Sequence, residues 1–198
     1  MKRMNKIIIG IAGESGSGKD TVTGYLAERY GASHHKFSEV VRDIVARLGL
    51  ELNRKNMDTV SMMLRQTFGE DTLSRVICHD VEADGSDLVV MDGVRRESDL
   101  KCVRNVPGFV LLFVETSLEK RYERIAGRRE NADDASKTFE AFLEESKAEP
   151  QMQVRGLKDI SDHVIANDGT LEELYAQADR IMGDLLARSG HFPPDRLQ

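Results

Sequence analysis

Uncharged apolar runs recur along this chain, and between them apolar residues return at helical spacing. Ile7-Ile8-Ile9-Gly10-Ile11-Ala12 shows neither charge nor alternation, the pattern of a strand covered on both faces. Asp87 to Asp92, whose interior Leu88-Val89-Val90-Met91 is uncharged, and Phe109 to Val114 repeat it. His163 to Asn167 gives a shorter run turned by Asp168-Gly169, and His34-His35-Lys36-Phe37 offers a further short strand. The helix-spaced segments lie between these runs. Residues 20–30 bring Val22, Leu26 and Tyr30 near one face and stop at Gly31. Ser38 reads as the N-cap of a helix from Glu39 to Leu48. Asn53 to Phe68 carries Met57, Val60, Met63, Leu64 and Phe68 along one face, which reads as core with the option of lining a pocket. Further helices are predicted over Thr72 to Val81, Ser117 to Gly127, and Phe139 to Glu149 before Pro150. Thr170 caps a last one with Leu171, Leu174, Ala178, Ile181 and Leu185 on its inner face. Strands alternating with helices predict an α/β fold whose sheet is parallel and roughly five-stranded.

The stretch between the first strand and the first helix carries the chemistry. Gly13-Glu14-Ser15-Gly16-Ser17-Gly18-Lys19-Asp20-Thr21 matches the phosphate-loop pattern G-x-x-x-x-G-K-[ST] at Gly13, Gly18 and Lys19. Glycines let successive N–H groups turn inward, and the helix N-terminus adds partial positive charge. Gly13, Ser15, Gly16, Ser17, Gly18, Lys19, Asp20 and Thr21 are therefore the expected nucleotide-phosphate ligands. The pattern is broken at Asp20, where a hydroxyl is usual; Thr21 comes one position late. Asp92 ends a buried strand, where a carboxylate can hold Mg²⁺ directly or through water. Arg42, Arg54, Arg65, Arg95, Arg96, Arg121, Arg124, Arg128 and Arg129 all fall in segments flanking strand ends, where ligands bind in such sheets. The five histidines show no metal-ligand spacing.

Composition narrows the function classes. A chain of 198 residues suits one domain, here drawn as 1–188 with a loose tail at 189–198. A net charge of −6 argues against a dedicated nucleic-acid binder, and no apolar run approaches the ~18 residues of a membrane span. The apolar run after the basic Met1-Lys2-Arg3-Met4-Asn5-Lys6 is too short for a signal peptide. Cys78 and Cys102 lack C-x-x-C spacing and read as reduced thiols of a cytoplasmic protein.

Over residues 6 to about 186 the chain resembles small P-loop kinases of the nucleoside monophosphate kinase group. The loop with aspartate after its lysine is similar to those of deoxynucleoside monophosphate kinases and phosphomevalonate kinases. Phe37-Ser38-Glu39-Val40-Val41-Arg42 resembles the acceptor-binding segment of adenylate kinase-like enzymes, which implies Arg42 on the acceptor phosphate. Asp92-Gly93-Val94-Arg95-Arg96 resembles a D-G-x-x-R or D-G-x-R segment, so the second acceptor arginine is Arg95 or Arg96. Arg121 to Arg129 resembles the helix entering the lid, with Arg124 and Arg128 at the matching positions. Asn167-Asp168-Gly169-Thr170 resembles the last turn of dephospho-CoA kinases, beside the nucleotide base. The resemblance implies a three-layer P-loop NTPase fold, with an acceptor-binding helical insertion at about 38–82 and a short lid at about 128–137. It implies ATP with Mg²⁺ at Asp20 and Asp92, catalytic Lys19, Arg124 and Arg128, and Asn167 with the loop on ATP. Ser38, Arg42, Arg65, Arg95 and Arg96 then belong to a small phosphorylated acceptor, most simply a nucleoside or deoxynucleoside monophosphate. Dephospho-CoA kinase-like activity and an ATP-hydrolysing regulatory protein are the alternatives, in a monomer or homodimer. The lid segment has no cysteines, so it is not a zinc-bearing lid.

Overall fold

The computed structural model describes residues 6–128 and 138–190. Its strands are β1 (Ile7–Ala12), β2 (Ser33–Lys36), β3 (Leu88–Val94), β4 (Phe109–Glu115) and β5 (His163–Ala166), in the sheet order β2-β3-β1-β4-β5. All neighbouring strands run parallel. β1 is central and buried along its whole length, because its alternate side chains feed two cores. Ile8 and Ala12 join Val41, Val45, Val60, Ile77 and Val154 on one face. Ile7, Ile9 and Ile11 join Val22, Leu26, Leu174, Ala178 and Met182 on the other. The first layer is built by α2 (Phe37–Arg47), α3 (Arg54–Phe68), α4 (Thr72–Ala83) and α7 (Glu149–Gly156); the second by α1 (Lys19–Tyr30) and α8 (Leu171–Ser189). α5 (Leu118–Arg128) and α6 (Phe139–Ser146) follow β4. The architecture is the expected three-layer α/β sandwich.

Local differences from the sequence reading have local causes. β2 runs straight into α2, whose first residue is Phe37 and whose N-cap is Lys36, so Ser38 lies within the first turn and does not cap. On α3 only Val60 is buried on the methionine-bearing face, while Met63 is 57 % and Phe68 62 % exposed. The core reading of that face holds for Val60, with Met57 and Leu64 packed partly buried against the core, and is corrected for Met63 and Phe68. Pro150 does not end a helix. It sits in the first turn of α7, where its missing N–H has no intrahelical partner to lose. Thr170 does cap α8, in a reciprocal box with Glu173. Of the expected lid at about 128–137 and tail at 189–198, residues 129–137 and 191–198 lie outside the described residues. Among the described residues no helix is long and apolar enough to cross a membrane.

The reduced-thiol reading is also corrected: Cys78 and Cys102 form a disulfide with Cα atoms 6.1 Å apart. Sequence spacing tests only local motifs, whereas here α4 packs against the chain between two 3₁₀ turns, Glu97–Leu100 and Val103–Asn105. The bridge spans a sequence separation of 24. On chain-entropy grounds a loop of that size contributes about 3 kcal/mol. Reduction is therefore expected to lower the urea midpoint, and an unchanged midpoint after confirmed reduction would rule that contribution out.

Candidate functional site

The glycine-rich loop leaves β1 at Gly13 and enters α1 through Gly18, which holds φ at 93° as the helix N-cap. That left-handed conformation, shared by Gly16 at 79°, is open to glycine and strained for other residues. Space is equally restrictive. A Cβ on Gly13 would lie 2.6 Å from the Val114 carbonyl, and one on Gly18 would strike the Asn167 amide. The loop is braced through one atom, the Ser17 carbonyl oxygen. Thr116 Oγ1 donates to it at 2.9 Å, Asn167 Nδ2 at 2.8 Å and an Arg124 nitrogen at 3.4 Å. The other terminal nitrogen of Arg124 donates to the Asn167 carbonyl at 2.8 Å. Lys19 Nζ curls back to donate to the Glu14 carbonyl at 3.2 Å. A glycine-lined turn at a helix N-terminus, with a lysine at its first position, is a concavity suited to an anion.

Two carboxylates face this turn. Asp92, near the end of β3, is buried, and its Oδ1 has no hydrogen-bond partner. Burial, and then the negative charge of Asp20, push its pKa up, with Lys19 opposing. His34 Nε2 stands 4.0 Å from Asp92 Oδ2, and burial lowers the histidine's pKa. An orphaned buried carboxylate oxygen beside a second carboxylate fits a divalent cation. Among the described residues no three His, Cys, Asp or Glu side chains form a metal cage. That suits Mg²⁺, which takes one or two carboxylates and completes its shell with phosphate and water.

On the β3 side, Arg95 follows the strand and is exposed, as are Ser38 and Arg42 on α2. Arg96 pairs with Glu70 at 3.4 Å. Arg65 departs from the sequence reading as an acceptor ligand. Its guanidinium is 8 % exposed, donates to Asp99 Oδ1 at 2.7 Å and to the Glu70 carbonyl at 2.6 Å, and is thus engaged inside the protein. The second oxygen of Asp99 accepts the backbone N–H groups of Arg95 at 3.0 Å and Arg96 at 3.1 Å. Arg65 therefore fixes the residue that shapes the arginine-bearing turn. Arg128 closes α5, but its side chain lies outside the described residues.

Gly18, Thr21, Arg124 and Asn167 meet at a cavity of about 260 Å³, completed by Gly169 and Leu171. Asp168 turns this wall by accepting from the backbone and hydroxyl of Ser117, both at 2.9 Å. A larger cavity of about 550 Å³ lies elsewhere, between Leu100, Lys101, Arg104 and Ile160, and shares no residue with the loop.

A family model described as an AAA domain matches residues 12–142. A UPF0200 protein of Methanoregula boonei is 31 % identical over 172 residues, covering 86 % of this chain and 92 % of that one. This chain belongs to the UPF0200 family and carries an AAA domain. The UPF0200 protein of Thermococcus kodakarensis is 27 % identical across 92 % of this chain and its own full length. Among solved structures, shikimate kinase from Bacteroides thetaiotaomicron superposes on 90 % of the UPF0200 chain with a TM-score of 0.61 at 12 % identity, covering 98 % of the kinase. Shikimate kinase from Acinetobacter baumannii in complex with shikimate covers 98 % of it with a TM-score of 0.52 at 15 % identity, matching over 97 % of its own length. TT1252 from Thermus thermophilus covers 93 %, with a TM-score of 0.55 at 18 % identity, over 98 % of its length. The fold is P-loop kinase-like.

The UPF0200 site also contains contacts that the sequence reading did not assign, one of them made by Arg121, which it had named only among the strand-end arginines and the lid-helix segment. Arg121, on α5, and Arg155, on α7, both place a terminal nitrogen on Glu14 Oε1, at 3.2 and 2.9 Å. Gln151 Nε2 reaches Ser15 Oγ at 3.4 Å. Glu14 is an unspecified position of the loop motif, and α7 was hidden behind Pro150; a Pro at a helix start was the available signal.

Proposed function

We propose that this UPF0200 chain transfers the terminal phosphoryl group of ATP to a small phosphorylated acceptor, a nucleoside or deoxynucleoside monophosphate first. The observation that carries the reading is the braced glycine loop with Lys19 at its exit and the unpartnered Asp92 Oδ1 facing it. In phosphoryl transfer the protein's work is positioning and charge neutralisation. The loop N–H groups and Lys19 hold the donor phosphates, with Gly13, Ser15, Gly16, Ser17, Gly18 and Thr21 shaping the cradle. The cavity at Arg124 and Asn167 takes the base. Asp20 and Asp92 would hold Mg²⁺, which would supply neutralisation of phosphate charge. Arg42 and Arg95, both exposed and outside any ion pair among the described residues, orient the acceptor phosphate, and Arg96 flanks them. Arg128 meets the charge of the moving group, whereas Arg124, expected beside it, supports the loop and the base cavity through the Ser17 and Asn167 carbonyls.

An ATP-consumption screen across ribo- and deoxyribonucleoside monophosphates, dephospho-CoA and shikimate tests this reading. Acceptor-dependent turnover with a monophosphate is the expected result. Turnover with dephospho-CoA alone moves the assignment to that acceptor, and acceptor-independent hydrolysis overturns it in favour of a regulatory ATPase.

Asp20 gives a second test. Its carboxylate brings negative charge to the phosphates, which is repulsive unless a cation intervenes. Asp20→Asn keeps the shape and removes the charge. Titrating ATP affinity against Mg²⁺ is expected to show a shallower metal dependence, lower kcat, and metal-free ATP binding equal to or tighter than wild type. Identical titrations for both proteins would eliminate Asp20 as a metal group.

A further inference from the structure

We propose that Glu14 is a built-in stand-in for a nucleotide phosphate: its carboxylate holds Arg121 and Arg155 in the ligand-free protein and yields them to the phosphates of a nucleoside triphosphate entering the loop. This rests on the reading that the loop binds those phosphates. The arrangement is that of an anion site already filled. Two guanidinium groups, from helices on either side of the expected lid, converge on one oxygen of one carboxylate. That carboxylate belongs to the loop itself, and its residue's carbonyl is where Lys19 Nζ is parked. Both ends of Glu14 thus engage the cations that incoming phosphates need.

The arginines are incompletely satisfied where they stand. The Arg121 side chain is 4 % exposed, its guanidinium lies 5.6 Å over the Phe142 ring, and its Nε is buried without a partner. Among the described residues its guanidinium makes one further hydrogen bond, a long one of 3.4 Å to the Ser15 carbonyl. A guanidinium has five N–H donors, and one shared carboxylate oxygen saturates neither Arg121 nor Arg155. A polyphosphate offers more oxygens and more charge in the bidentate geometry that arginine prefers. Arg155 is placed to make the exchange: its side chain is 51 % exposed, and among the described residues it holds, besides Glu14, the Ser146 carbonyl at 3.3 Å. Gln151, on the same helix, already touches Ser15, so α7 needs no long excursion to bring Arg155 over the loop.

Competition has a signature that ordinary structural support lacks, because removing the competitor tightens binding. Glu14→Gln keeps an oxygen for the buried Arg121 and removes the charge. Isothermal titration with Mg-ATP, and with its non-hydrolysable imido analogue, is expected to show about tenfold tighter binding for Glu14→Gln. Arg155→Gln, chosen because Arg155 is half exposed, is expected to bind several-fold more weakly. In the double variant the gain from Glu14→Gln should shrink, since Arg155 is gone and Arg121 alone is left to be freed. A gain that survives undiminished there means only relief of repulsion and overturns the proposal, as does weaker or unchanged binding by Glu14→Gln in a protein of wild-type melting temperature. An unaltered affinity for Arg155→Gln overturns it equally. Lys19→Ala separates the two levels of argument. If it binds ATP like wild type, the loop reading fails; if it binds poorly while Glu14→Gln does not tighten, only the stand-in fails.

Discussion

Lys19→Ala is expected to lower kcat by about 100- to 1,000-fold, or roughly 3–4 kcal/mol of transition-state stabilisation, while leaving the fold intact. The magnitude follows from what the lysine does at each stage. In the free protein Lys19 Nζ donates to the Glu14 carbonyl, a partly buried bond whose loss costs about 1 kcal/mol. In the reacting complex it neutralises charge moving between donor and acceptor, a preorganised contribution that water does not replace. The cradle does not depend on this side chain, because the Ser17 carbonyl is braced by Thr116 and Asn167. Circular dichroism and a melting curve close to wild type should therefore accompany the lost turnover in a coupled ATP assay. Turnover within a few-fold of wild type would remove Lys19 from the mechanism.

The largest stability effect is expected at Asp99. The pair it forms with Arg65 is buried, its side chains being 2 % and 8 % exposed, and its second oxygen carries two backbone N–H groups. Asp99→Ala strands a buried guanidinium and two amides at once, for an expected loss of about 3–5 kcal/mol in urea unfolding. Adding Arg65→Met removes the stranded charge. The double variant should regain most of the loss but not all, because the N–H groups of Arg95 and Arg96 stay uncapped, at about 1–3 kcal/mol. If the double variant were no more stable than Asp99→Ala, the buried charge would not be the source of the loss. At an intermediate stability that permits assay, the double variant should still show a raised acceptor KM, since the turn bearing Arg95 has lost its anchor.

What the chain discloses by itself depends on distance along it. β1, β3 and β4 were legible because both faces of each are covered, leaving runs without charge. The loop was legible because its glycines answer to backbone conformation and close approach, which are fixed by type and spacing. Thr170 and Glu173 were legible as neighbours in sequence. Pairings set by tertiary packing were not. Arg65 read as a free phosphate ligand because Asp99 stands 34 positions away, and nothing local distinguishes a buried guanidinium from an exposed one. Cys78 and Cys102 read as separate thiols for the same reason. Met63 and Phe68 follow the helical period of α3 without being covered, since periodicity gives a face but not what lies against it. Glu14 and Arg155, 141 positions apart, left no joint trace.

The bracing of Ser17 also has a consequence for synthesis. A chain is made from its N-terminus, and the loop follows β1, the first strand of this sheet to emerge. Its supports come late: Thr116 follows Ser17 by 99 residues and Asn167 by 150, which at ~5–20 residues per second is a delay of roughly 8–30 s for the latter. Until β5 docks beside β4, the Ser17 carbonyl lacks its shortest donor, and Gly18 lacks the amide wall against which it is shaped. The loop thus acquires its binding shape long after it is translated, and a nascent chain that ends before β5 carries the glycine motif without the geometry that gives it meaning.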